Sequence, residues 1–167
     1  MNIRHTKTED IPRLQEIFAI AKQFMRSTGN MDQWTEKDYP GGILTQDIER
    51  GVSYVIEDDG RIVGTFAFII GSDPTYDVID DGSWLDDVKP YGTIHRIASD
   101  GSRKKLLEET LRYCFGRIDN IRIDTHADNK VMQHKVEKNG FKRCGIIYIE
   151  DGSPRIAYQK ILNPEEM

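Results

Sequence analysis

Apolar positions recur along the chain with two periods, and the changes between them predict its elements. Residues 2–6 are a short strand candidate. Ile11, Leu14, Phe18, Ala21 and Met25 then fall at helical spacing. Thr8 offers an N-cap to that helix, with Glu9 and Asp10 in its first turn and Pro12 early enough to be tolerated. Gly29 ends it. A shorter helix is predicted over 44–50, closed by Gly51. Residues 52–57 and 61–70 read as strands joined at Asp59-Gly60, a pair suited to a tight hairpin. The second strand is apolar on both faces and is expected near the centre of the sheet. Residues 71–91 form an acidic stretch of turn formers, long enough to suggest a working loop. A strand over 92–99 follows, then a helix from about 102 to 116 with Leu106, Leu107, Leu111, Cys114 and Phe115 on one stripe. "NIRIDTHA" alternates as a strand. The next helix has Asp128 or Asn129 as N-cap and Gly140 after its end. Strands near 142–150 and 154–162 flank a turn at Asp151-Gly152.

This order is that of a mixed α/β chain with helices covering a sheet, read as a single domain over 1–167. The 167 residues suffice for one real core. A formal net charge of −5 argues against nucleic acid as the main partner, because such binding needs a basic face. "MNIRHTKTED" has no apolar run, so neither a signal peptide nor a membrane span is expected there. The two cysteines, Cys114 and Cys144, sit in apolar patterns and read as reduced core thiols of a cytoplasmic protein.

Charge patterning adds one anomaly. Ser102 would begin the helix after the 92–99 strand, and Arg103, Lys104 and Lys105 would crowd its first turn. That end of a helix is positive, so each cation there costs roughly 0.3–1 kcal/mol unless an anion joins it. Either the cations face solvent, offset by Glu108 and Glu109, or the turn holds a polyanion. In the preceding strand His95 alternates with Arg96, so one faces a cleft and the other the opposite surface. His95 suits a general base near neutral pH, and a hydrogen-bonded histidine inside the sheet is the competing reading. His126 and His134 are weaker candidates. Their spacing is not that of two metal ligands, and no metal is expected. In the acidic loop, Tyr76, Trp84 and Tyr91 lie among Asp73, Asp77, Asp80, Asp81, Asp86 and Asp87. Carboxylates beside aromatics suit a cationic amine, and a solvated loop anchored by Trp84 is the alternative.

The element order, the strand-turn-helix at 94–111 and "ADNKVMQHKVEKNGF" followed by a strand together resemble the GCN5-related N-acetyltransferase (GNAT) family, over essentially the whole chain. Small bacterial members of unassigned substrate look most similar. The resemblance implies a mixed, mostly antiparallel sheet of about six to seven strands, helices on both faces, and a V-shaped gap between the fourth and fifth strands. Acetyl-CoA would lie in that gap as co-substrate and give its acetyl group to a primary amine, on a small molecule or a peptide, by direct attack in a ternary complex. In the family's manner a backbone N–H near Ile97 or Ser99 would donate to the thioester carbonyl, with Ile97, Ala98, Ser99 and Asn129 as cofactor contacts and Ser102 to Lys105 at the pyrophosphate. The family's glycine positions in that loop fall on Leu106 and Glu108. In the motif Asn-x-x-Ala-x-x-x-Tyr-x-x-x-Gly-Phe, Asn129, Gly140 and Phe141 match, while Met132 replaces the alanine and Val136 the tyrosine. Tyr148 is then a candidate donor to the departing thiolate. A CoA-binding or protein-interaction module without turnover is the alternative, and another phosphorylated ligand a third. Relatives are often dimers, so a homodimer is among the expected partners; membrane and nucleic acid are not.

Overall fold

The computed structural model describes residues 1–163 and Glu165. The strands are β1 (Asn2–His5), β2 (Ser53–Asp58), β3 (Arg61–Ile70), β4 (Gly92–Ser99), β5 (Asn120–Thr125), β6 (Lys142–Tyr148) and β7 (Pro154–Ile161). The helices are α1 (Ile11–Ser27), α2 (Leu44–Glu49), α3 (Leu106–Phe115) and α4 (Lys130–Lys138). One sheet runs β1-β2-β3-β4-β5-β7-β6. Every neighbouring pair is antiparallel except β4 with β5.

Helices cover both faces, as the amphipathic patterns require. Leu106, Leu107, Leu111 and Cys114 of α3, with Val136 of α4, pack on Ile56, Phe66, Phe68, Ile94, Ile121, Ile123 and Tyr158. On the other face Leu14, Ile17 and Phe18 of α1 meet Leu44, Val55 and Ala98. Gly64 lets α3 approach β3: a Cβ there would lie 3.0 Å from Leu106 Cδ1 and 3.1 Å from the Ala98 carbonyl. Asp59 and Gly60 take φ of +51° and +75° in the β2–β3 hairpin, as the tight turn needs. Cys114 and Cys144 are free and buried, and burial pushes both thiols up. Among the described residues no helix is long and apolar enough to cross a membrane.

The acidic loop departs most from its expected character. It folds back over β5, β6 and β7 and makes a third core of Tyr76, Trp84, Tyr91, Cys144, Ile147 and Ala157. Asp80 exchanges backbone hydrogen bonds with Ile146 of β6, at 2.9 and 2.8 Å. A Cβ on Gly82 would fall 1.9 Å from the Cys144 carbonyl oxygen, so only glycine permits that contact. Tyr76, Trp84 and Tyr91, expected to line an acceptor surface, are 1%, 7% and 9% exposed. The physical reason lies in β5: Tyr76 turns its hydroxyl to Asp124, and Trp84 and Tyr91 close around Arg122, itself 1% exposed. Its guanidinium lies 3.9 Å from the Trp84 ring and 3.9 Å from the Tyr91 ring. The cation that these rings hold belongs to the chain.

Candidate active site

The sheet opens between β4 and β5. Their parallel pairing covers only Gly92↔Ile121 and Thr93↔Arg122. From Ile94 onward β4 leaves β5, which continues in register with β7 as far as Thr125↔Ile156. The result is a V-shaped gap with one β4 edge free along it.

That edge is reshaped by a bulge. Thr65 of β3 pairs with Ala98 and Ala67 with His95, so Phe66 alone faces both Arg96 and Ile97. Arg96 takes φ +52°, which costs a non-glycine residue about 1–2 kcal/mol. The Phe68 N–H bonds Val52 of the β2 side. Ladder alternation therefore turns Ala67 and Thr65 toward β4 and leaves the peptide groups of Arg96 and Ile97 outside the β3 ladder. The bulge also breaks the alternation expected for His95 and Arg96. Ile94 and Ile97 both pack on the α3 side. Arg96 pairs with Asp47 of α2 and His95 with Asp73 of the acidic loop, so these two side chains share the other face.

His95 Nε2 lies 3.3 Å from Asp73 Oδ2, with both side chains about one-fifth exposed. Asp73 is fixed in turn. Its Oδ1 accepts from Thr75 N and Thr75 Oγ1 at 2.9 and 2.7 Å, and its own N–H donates to the Tyr91 hydroxyl at 2.7 Å. The hydrogen bond from His95 draws the Asp73 carboxyl down to about 2, against burial and with the help of Thr75. Across the gap Tyr76 donates to Asp124 Oδ2 of β5 at 2.6 Å, and burial first, then Asp124, holds its hydroxyl protonated. Tyr76 and Tyr91 thus orient carboxylates at the gap from behind. Nε2 faces Asp73, and an imidazole carrying its proton on that side keeps its lone pair on Nδ1, the arrangement a general base needs.

The helix after β4 begins four residues later than expected. Asp100 Oδ1 accepts from Ser102 N and Oγ, forming a turn, and Lys105 takes φ +65° as the N-cap of α3. The three cations lie in the loop before α3 and not within its first turn. Arg103 bonds Asp58 at 2.7 Å and lies 3.7 Å from Asp59, at the β2–β3 hairpin. Lys104 and Lys105 are exposed, with no ion pair among the described residues. The first bond of α3 runs from Glu109 N to Lys105 O, so the N–H groups of Leu106 and Leu107 lie at the open helix start. Ile97 is half-buried and Ala98 buried along β4, and Ser99 Oγ accepts from Gly101 N at 3.3 Å.

Asn129 caps α4, accepting from Met132 N at 3.1 Å, while its Nδ2 donates to Gln33 Oε1 at 3.1 Å. Val136, at the motif's tyrosine position, is fully buried core. Tyr148 is 40% exposed on the sheet's outer strand, with β7 between it and β5, and donates to Asp80 Oδ2 at 2.9 Å. The structure thus places it two strands from β5, on the far side of β7 from the gap. His134 is exposed on α4. His126, Asp32 and Asp128 bring ligand atoms within 4.8 Å of one another, the one such group among the described residues. The His126 Nδ1 already accepts from Asp128 N at 3.0 Å, which opposes metal binding through that atom.

No protein-family profile matches the chain, and no curated protein does. Solved structures do. An acetyltransferase of the GNAT family from Streptococcus agalactiae 2603 is 34% identical, with a TM-score of 0.86 over 97% of this chain and 95% of that one. The chain belongs to the GNAT family. Another GNAT acetyltransferase, from Listeria monocytogenes 4b F2365, is 20% identical with a TM-score of 0.70 over 96% and 94% of the two chains. The ribosomal-protein-alanine N-acetyltransferase of Brucella melitensis, 17% identical with a TM-score of 0.60 over 97% and 100%, shares the fold. GNAT membership makes acetyl transfer the reaction class of this chain, in a family whose members use acetyl-CoA. The sheet, expected at about six to seven strands, has seven, and the expected helices on both faces and splayed fourth and fifth strands are present. Sequence reasoning missed Asp47 and Asp124, which become visible only once β4 and β5 are side by side. Asp73 appeared only as one carboxylate among several in the loop.

Proposed function

We propose that the protein transfers the acetyl group of acetyl-CoA to a primary amine, with both substrates bound in the gap between β4 and β5. The observation that carries this is the bulged, unpaired edge of β4 with the His95–Asp73 pair beside it. The thioester carbonyl would lie along β4 near Ile97, Ala98 and Ser99, where a free peptide N–H stabilises its oxygen as it becomes anionic. His95 Nδ1 takes one proton from the ammonium, the amine nitrogen attacks the carbonyl carbon, and the carbon–sulfur bond breaks as the attacking nitrogen gives up its second proton to water. The sulfur leaves as a thiolate and takes its proton from water, since Val136 offers none and Tyr148 is held by Asp80 on the outer strand. Lys104, Lys105 and the open start of α3 suit the pyrophosphate. Asn129, at the head of α4, is the cofactor contact on the β5 side. Asp73 and Asp124 give the acceptor side a negative field that favours a cationic amine.

Thermal melting with and without acetyl-CoA, followed by thiol release across a panel of amines, tests the reading. Stabilisation together with thiol release for at least one amine is expected. Stabilisation by CoA or acetyl-CoA with no turnover on any amine would instead favour a binding module.

A further inference from the structure

The strained bulge of β4 has an external grip. Arg96, at φ +52°, sends its guanidinium to Asp47 of α2: Nε to Oδ2 at 2.9 Å and Nη2 to Oδ1 at 3.0 Å. The two side chains are 11% and 3% exposed. A two-point Arg–carboxylate contact fixes direction as well as distance. Burying such a pair is a poor way to gain stability, since apolar residues of similar size usually do as well or better. What it does supply is orientation. Residue 96 has no reason of its own to adopt a left-handed backbone, and α2 holds its side chain on the one side from which that backbone follows.

We infer that Asp47 is a positioning residue: by gripping Arg96 it holds the left-handed turn of the β4 bulge, and so aims the free Ile97 peptide N–H into the gap. This rests on the acetyltransferase reading for its catalytic consequence, but the backbone claim stands apart from it. α2 is thereby coupled to the reaction although none of its side chains touches a reacting atom. A misdirected N–H stabilises the oxyanion poorly while leaving most of the donor's contacts intact, so kcat suffers and KM for acetyl-CoA does not.

The test replaces the ion pair by apolar residues, Asp47→Leu with Arg96→Met, and compares it with Asp47→Leu plus Arg96→Gly. Glycine adopts positive φ without a grip. Three readouts are taken: the melting temperature, backbone NMR shifts of residue 96 without ligand, and kcat and KM for acetyl-CoA with an amine that the wild type acetylates. The Leu/Met variant should melt close to wild type, lose the left-handed shifts, and fall roughly 10²-fold in kcat with KM changed less than about threefold. The Leu/Gly variant should recover most of the lost kcat. Left-handed shifts that persist in the Leu/Met variant overturn the inference, as do shifts that move while kcat holds. If the apolar pair fails to fold, Asp47→Asn is read by the same criteria. A wild type that neither binds acetyl-CoA nor acetylates any amine defeats the acetyltransferase reading, and the residue 96 shifts still decide the clamp.

Discussion

The two walls of the gap are built on opposite terms. β5 is regular: it pairs with β7 over its whole length, Asn120↔Ile161 to Thr125↔Ile156, and buries Ile121, Ile123 and Arg122. β4 pairs with β5 at two positions only, then bulges, and its side chains are held from outside by α2 and by the acidic loop. One wall is held by its own ladder and the other by long-range pairs. A strand that must present peptide groups to a ligand has to give up ladder bonds, and the fixing that it loses returns through side chains. On the proposed reading the chemistry sits on the wall that is irregular, and stability sits on the wall that is not.

That contrast predicts different consequences for damage on either side. His95→Gln, on β4, should lower kcat by roughly 10²–10⁴-fold with little change in melting temperature; steady-state rates at saturating acetyl-CoA decide it, and an unchanged rate would remove His95 from the reaction. Ile123→Ala, on β5, should do the reverse. It should lose about 2–5 kcal/mol in urea unfolding while kcat per folded molecule is kept. Asp73 belongs to the β4 side but also titrates. Its carboxyl is lowered from 3.8 to about 2, so the stability it adds is complete above the ordinary aspartate value and fades as pH falls from about 4 toward 2. The loss is about 2 kcal/mol, and an acid-unfolding curve of Asp73→Asn should lack that segment.

Smaller effects sharpen the outer limits of the β4 wall. Lys104→Glu with Lys105→Glu should weaken acetyl-CoA about tenfold by calorimetry at low salt. Equal affinity would mark these cations as ordinary surface. Tyr148→Phe, on the outer strand beyond β7, should leave both rate and stability within about 0.5 kcal/mol of wild type. A large fall in its rate would return that tyrosine to the reaction.

How much of this was legible in the sequence follows the same division. Local chemistry reads well. The Asp59-Gly60 hairpin, the Asn129 cap, Gly140 after α4 and the apolar stripe of α3 all depend on neighbours within one turn, and each stands where expected. α3 starts four residues beyond its expected place because Lys105 takes a left-handed φ that nothing in "SRKKLL" announces. The bulge at Arg96 has no local signature either, because a partner 49 positions away specifies it. The aromatic loop misled for a related reason. Trp84 and Tyr91 beside carboxylates do indicate a bound cation, but only the fold reveals that the cation is Arg122, and that Tyr76 turns to Asp124 instead.

The contact between Asp80 and Ile146 has a consequence for the molecule's dealings with its own kind. β6 is the last strand of the sheet, and an outermost strand with open peptide groups invites pairing with another chain. Here the outward bonds at the middle of that strand are taken by a loop of the same chain, at 2.9 and 2.8 Å. Gly82 and Gly145 make room for the crossing, where a side chain on either would collide with backbone. A second copy could continue the sheet through β6 only after dislodging that loop. Trp84, Tyr76 and the buried Arg122 anchor it from beneath, so the same aromatic packing that backs the gap also guards the sheet against polymerising.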